Sequence, residues 1–377
     1  MTNRPLRVVV APDSFKGSAT ASAVAHAIAD GWRSVRPGDD ILSLPMADGG
    51  EGTVDAFADV DGAIVVTTTV EGPDGLLVDA RWVRLPASAD APDGTAVVEI
   101  AGTSGLGLLD PLLPLDAHTR GLGQAIGAAL DSGVSRILVG LGGSASTDGG
   151  AGALQALGAR LLSDDGTDVP GGGRGLGALA TVDLSLLRRL PPRGVVVLTD
   201  VRNPLLGARG AAGVFAPQKG ATAADVVVIE ANLRRFRDCA AADDATASAL
   251  SEEPGAGAAG GTGFGLMLWG ASVRSGATEI AERVGLPAAL ADADIVITGE
   301  GRFDAQTSEG KVASHVVGLA RAAGVPVLLV AGSIAAHPGM FADHAELAGL
   351  AGSATESFEH PEQWASRAGA ELAARLR

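Results

Sequence analysis

The chain is poor in positive charge, in cysteine and in long apolar runs, and each shortage excludes something. Lysine and arginine total 28 against 44 acidic residues, giving a formal net charge of −16 over 377 residues. Nucleic acid and anionic membrane surfaces both demand basic protein surface, so neither is expected as a partner. A single cysteine, Cys239, rules out an internal disulfide. It lies beside Ala240 and Ala241 in a helical stretch and reads as packing, not as a nucleophile. None of the six histidines is paired with another at metal-ligand spacing, so no zinc site is expected. No run approaches the ~18 apolar residues of a membrane span. Residues Met1 to Arg7 are short and polar and lack the apolar stretch of a signal peptide. A cytoplasmic location is expected.

What is present is a folded, layered chain. Apolar residues make up 46% and charged ones 19%, enough for a core without disulfides or metals. Short β-branched runs alternate with Ala/Leu-rich helical runs. Strands are expected at Arg7–Val10, Ile41–Leu44, Ile64–Val70, Val97–Ile100, Ile137–Val139, Val195–Thr199, Ile295–Thr298 and Val327–Val330. Helices are expected at Ala19–Val35, Thr119–Leu130, Ala151–Leu161, Ala223–Ala242, Val312–Ala323 and Pro361–Leu376. Continuously apolar strands are those buried on both faces of a parallel sheet, so the class is α/β. Thr67 to Leu85 instead reads as a hairpin turning at Gly72-Pro73-Asp74-Gly75. A purely parallel core has no need of it. A second domain inserted into the first is therefore expected, with residues 64–279 interrupting a discontinuous domain of residues 1–63 plus 280–377.

Polar residues cluster where strands end, which is where open α/β sheets bind ligands. Asp13, Ser14 and Lys16 follow the first strand, with Ser18 placed to cap the next helix. Asp48 and Glu51 sit among glycines in Ala47–Thr53, either as ligands for Mg²⁺ or a hydroxyl proton, or as a capping box. Gly142, Gly143, Ser144 and Ser146 open a strand-to-helix loop of glycines and hydroxyls suited to phosphate. Asp200 ends a very apolar strand, as a metal ligand or base or as an Asx-turn before Pro204. Glu300, Arg302 and Asp304 follow Ile295–Ile297, either as an anion site or as a surface turn with a local ion pair.

Lysine usage adds to this. Only Lys16, Lys219 and Lys311 are lysines, each lies beside a glycine, and a compact ammonium is a common phosphate binder. Familiar motifs do not account for these loops. The phosphate-type loop lacks the G-K-[ST] ending of a Walker A sequence. Gly255 to Gly260 matches G-x-G-x-x-G by letter but follows no strand. No G-x-S-x-G elbow or H-R-D loop is present.

With these loops in view, the chain resembles the type-1 glycerate kinase family. The resemblance rests on APDSFKGS, PMADGGEGT, GGSASTDGGAG with the following LGAR, TDVRNPLLG, FAPQKG, GTGFG and TGEGRFDAQTSEGK, in the family's order from Ala11 to Lys311. Thr147-Asp148 stands where many members carry Asn-Asp. The resemblance implies ATP- and Mg²⁺-dependent phosphorylation of D-glycerate, usually to 2-phosphoglycerate and in some members to 3-phosphoglycerate. It also implies two α/β domains, one discontinuous with a flavodoxin- or Rossmann-like parallel sheet, and an active site in the cleft between them.

On that reading Lys16 and Lys219 contact anions, and Asp13 and Ser14 line the substrate and phosphate site. The Gly142 to Ser146 backbone cradles phosphate, with the glycerate carboxylate as competing ligand. Asp48 and Asp200 are Mg²⁺ ligand and general base in either order. Arg302 holds the carboxylate, and Glu300 and Asp304 complete the metal shell or orient Arg302. Two rivals stay open: a kinase for another small hydroxy acid, and a non-enzymatic carboxylate-binding regulator. A homodimer is also left open.

Overall fold

The computed structural model describes residues 4–243, 245–304 and 312–376. Lys311, the third lysine, lies outside them. The strands, in chain order, are β1 (Arg7–Val10), β2 (Asp40–Ser43), β3 (Ile64–Glu71), β4 (Leu77–Leu85), β5 (Thr95–Glu99), β6 (Arg136–Gly140), β7 (Arg160–Ser163), β8 (Leu179–Asp183), β9 (Val195–Leu198), β10 (Ser272–Arg274), β11 (Ile295–Phe303), β12 (Val327–Ile334) and β13 (Asp343–Glu346). Helices alternate with most of them, and the class is mixed α/β with parallel sheets.

The chain divides into two compact units, one of Met1–Asp48, Asp55–Asp61 and Ala277–Arg377, the other of Gly49–Val54 and Gly62–Gly276. The first unit carries a five-stranded sheet in the order β13-β12-β11-β1-β2, every pair parallel. In chain order this is the 2-1-3-4-5 arrangement of flavodoxin-like folds, whose switch point lies between β1 and the third strand, here β11. Val8, Val9 and Val10 are wholly buried, as β-branched residues covered on both faces should be.

The helix Ala21–Val35 packs on the helix Pro361–Arg375 through Val24, Ala25, Ile28 and Trp32, all buried. Their spacing of three and four residues marks one helical face. A fully buried side chain of this size contributes about 1.5–3 kcal/mol. Each helix turns a glycine to the backbone of the other. A Cβ on Gly31 would sit 1.8 Å from the Ser366 carbonyl oxygen, and one on Gly369 would sit 2.2 Å from that of Ile28.

The second unit carries a six-stranded sheet, β10-β9-β6-β5-β4-β3, and a separate β7–β8 pair. β5, β6, β9 and β10 are parallel, while β3, β4 and β5 are antiparallel neighbours. The expected hairpin is present. Ile64 pairs with Arg84 and Glu71 with Leu77, and the turn is closed by Gly72 N–H to the Leu76 carbonyl at 2.6 Å. The core includes Trp82, Ile126, Leu138, Phe236 and Phe264, the last two edge to face at 5.5 Å.

Three local expectations are corrected. The helix expected over Ala151–Leu161 stops at Ala156, and Arg160–Ser163 is a strand. Gly158 ends it at φ +110°, where a Cβ would meet the Leu186 carbonyl at 2.5 Å. The first helix is capped by Thr20, whose hydroxyl accepts the Ala23 N–H, while the Ser18 hydroxyl donates to the Phe15 carbonyl. Ala47–Thr53 is not a capping box. The next helix begins at Thr53, whose hydroxyl donates to the Gly50 carbonyl, and the Val54 N–H is taken by the Glu99 carboxylate.

Candidate active site

In the first unit, the carboxyl ends of β1 and β11 border a pocket of about 460 Å³. Asp13, Ser14 and Lys16 enter from the β1 loop, Asp48 from the segment after β2, and Glu300, Arg302 and Asp304 from β11 and its end. The structure thus brings together seven residues that the sequence reading placed in three separate loops. The expected loop after Ile297 is corrected: β11 runs on to Phe303 and pairs with β12 through Arg302–Ser333 and Phe303–Ile334. Glu300 and Arg302 are therefore alternate residues of a strand and lie on one face of it. Their placement is set by sheet register, which is stiffer than a turn.

The charges in this pocket are unevenly distributed. Asp13 is buried, 8% exposed, and its backbone is fixed by an N–H to the Gly299 carbonyl at 2.8 Å. Its carboxylate accepts the Ser14 N–H at 2.7 Å. Burial, and next the negative charge of Asp48, push its pKa up to about 7, against the opposing pull of Lys16. Glu300, also buried, adds to the rise. The Lys16 ammonium lies 3.6 Å from Asp48, on a side chain that is 62% exposed. Arg302 is exposed and stands 3.5 Å from Asp304. Two carboxylates that each raise the pKa of a third make a cation-seeking oxygen cluster, and hard oxygen donors of this kind suit Mg²⁺.

In the second unit, Asp200 follows β9 and is half-buried, as a residue just past an apolar strand should be. Beside it the hydroxyl of Thr199 accepts the Val201 N–H at 3.2 Å. The Gly142–Ser146 loop follows β6. Its amides are largely engaged: Gly142 donates to the Gly49 carbonyl, Ala145 to that of Ser104, and Ser146 to the Ser144 hydroxyl. Gly143 is exposed and left-handed at φ +77°. The N-terminus of the following helix is also occupied. The Asp148 carboxylate accepts Gly150 and Gly152 N–H at 3.0 and 3.1 Å, and both the N–H and hydroxyl of Thr119. The start of that helix is therefore capped from within.

Lys219 is the second lysine expected to contact anions. It is buried, 2% exposed, and its ammonium donates to the Ser146 carbonyl at 2.5 Å and the Ser144 hydroxyl at 3.3 Å. Burial pushes its pKa down to about 7.

Sequence reasoning missed Thr119, which partners Asp148 across 29 positions, and the pocket residues Ser333, Ser357 and Phe358. Nothing local in the chain marks either set. Glu356 and Glu359 of the short helix Ala354–Glu359, with His360 at its end, bring ligand atoms within 4.8 Å of one another at the surface.

A flavodoxin-ordered sheet with carboxylates, a lysine and an arginine at its switch point defines an α/β enzyme that handles small anionic molecules. The chain belongs to the glycerate kinase family, whose profile matches residues 8–377. It is 42% identical to a glycerate kinase of Bacillus subtilis (strain 168), over 99% of this chain and 98% of that one. It is 40% identical to the glycerate 2-kinase of Escherichia coli (strain K12), over 90% and 88% respectively. A crystal structure from Salmonella typhimurium LT2, provisionally assigned as glycerate kinase 2, superposes with a TM-score of 0.83 at 40% identity, covering 98% of this chain and 99% of the other. No helix among the described residues is long and apolar enough to cross a membrane.

Proposed function

We propose that this enzyme transfers the γ-phosphoryl group of ATP to the 2-hydroxyl of D-glycerate, releasing ADP. The observation that carries this reading is the pocket at the β1/β11 switch point, in a chain that belongs to the glycerate kinase family. The 2-position follows the E. coli relative, which is named a glycerate 2-kinase.

Phosphoryl transfer requires positioned reactants, neutralised phosphate charge and an acceptor for the hydroxyl proton. Lys16, exposed beside Asp48, supplies a mobile ammonium for phosphate. Arg302 presents a guanidinium able to take the glycerate carboxylate in two hydrogen bonds, with Asp304 orienting it. Asp13 and Ser14 border the substrate. Asp48, Glu300 and Asp304 of the first unit are the carboxylates proposed to hold Mg²⁺, which when bound would neutralise phosphate charge. Asp48 and Asp200 are each proposed, on their own unit, as a metal ligand or as an acceptor of the hydroxyl proton. Gly142, Gly143 and Ser144 form the phosphate- or carboxylate-facing loop, with exposed Gly143 as its approach point.

The test is ADP release with ATP, Mg²⁺ and D-glycerate, followed by phosphorus NMR of the product. The reading expects rapid ADP release and a 2-phosphoglycerate signal. ADP released only with another hydroxy acid would move the substrate, and a 3-phosphoglycerate signal would move the position.

A further inference from the structure

The second unit holds a buried cation, Lys219. Lys219 ends a single 3₁₀ turn, Pro217–Lys219, and Gly220 turns the chain away at φ +88°. Its buried side chain brings the ammonium to the Gly142–Ser146 loop. There it meets the Ser146 carbonyl and Ser144 hydroxyl. Ser144 Oγ accepts the Ser146 N–H at 3.2 Å and lies 3.1 Å from Ser146 Oγ. Two residues further, Asp148 gathers four donors, and Thr119 passes the network on by accepting the Ala153 N–H at 3.0 Å. Ser144, Ser146, Asp148 and Thr119 are all buried.

An ammonium held by a carbonyl and a hydroxyl, with a carboxylate near enough to oppose the effect of burial, is in the environment of a bound monovalent cation. A hydrophobic side chain of equal length would be easier to bury, so the charge has a task that packing does not explain.

We infer that Lys219 is a positioning residue, a built-in cation that fixes the shape of the loop from Gly142 to Gly150 so that its exposed face meets the substrate anion. The inference rests on the reading of that loop as part of the kinase site. It predicts that Lys219 never touches substrate and acts through Ser144 and Ser146. Loss of the ammonium should leave the rest of the fold intact.

The experiment uses the full chain with Lys219→Met, which keeps the stem, and Lys219→Ala, which leaves room for a small amine. Amide hydrogen exchange should quicken at least about tenfold at Ser146, Gly150 and Gly152 in both variants, with protection of β1 and β11 unchanged. Turnover should fall ~10–100-fold, as it does when groups supporting a site are removed, with a smaller change in KM. Methylammonium should restore part of the turnover of Lys219→Ala and none of that of Lys219→Met. Unchanged loop exchange with turnover within about twofold of wild type would overturn the inference. Loss of protection across the whole unit in both variants would also overturn it, since Lys219 would then be a general core residue. If the wild-type enzyme fails to phosphorylate glycerate, the functional reading fails by itself, and the exchange experiment still judges Lys219.

Discussion

The two units treat buried charge in opposite ways. At the end of β1, Asp13 is buried beside two further carboxylates and its proton is held to about pH 7. Past β6, Asp148 is equally buried, yet two backbone amides of the next helix and both donors of Thr119 surround it. The two lysines divide in the same way, Lys16 exposed and Lys219 enclosed. A cluster of like charges is costly to keep in an empty pocket and becomes favourable when a cation and its ligand arrive. A satisfied network gains nothing from a ligand and serves as scaffold. The difference is the ground for proposing chemistry for the first group and shape for the second.

The largest way to break the comparison is to strip the satisfied carboxylate. Asp148→Ala leaves four donors without an acceptor in a buried site and should cost about 3–5 kcal/mol, read by denaturant unfolding. Lys16→Ala should do the reverse. Its side chain is mostly exposed, so melting should barely change, while kcat/KM falls about 10²–10³-fold in the ADP-release assay.

Asp13 gives an intermediate effect with a definite sign. Its folded pKa is raised to about 7, above the unfolded value, so the folded state holds the extra proton between about pH 4 and pH 7. Stability from this group therefore falls as pH rises through that window. Asp13→Asn should match wild type near pH 4 and unfold about 2–4 kcal/mol later at pH 8, while losing activity. Equal unfolding curves at both pH values would remove the charge crowding from the account.

The smallest effect belongs to the Arg302–Asp304 pair. Both ends reach solvent, so Asp304→Asn should shift stability by less than about 1 kcal/mol. Arg302→Lys should raise the KM for glycerate about tenfold, because an ammonium cannot make the paired contact.

Much of this was legible in the chain. β1 was bounded correctly because three valines in a row are readable as a strand covered on both faces. The Gly72–Gly75 turn was readable because its residues demand a turn wherever they occur. Asp13, Lys16, Asp48 and Glu300 were picked out one loop at a time as polar residues at the ends of apolar runs. Their convergence was not legible, since it depends on β11 lying beside β1, which no local pattern states. The end of β11 was misjudged because Gly299 and Gly301 look like turn residues, whereas both lie within the strand and Gly299 is small because β12 crowds it. A Cβ on Gly299 would meet the Val330 carbonyl at 2.4 Å. Lys219 was marked by its scarcity, but its role depends on burial, and its neighbours Ser144 and Ser146 lie more than seventy positions away.

The most direct test of the division between chemistry and shape is Asp48→Asn, assayed for turnover and melting on one preparation. Asp48 adds to the crowding on Asp13, so its neutralisation should hold or raise the melting temperature. As ligand or proton acceptor it should also carry the reaction, and turnover should fall by about a hundredfold or more. Turnover close to wild type in a normally folded Asp48→Asn enzyme would contradict the account.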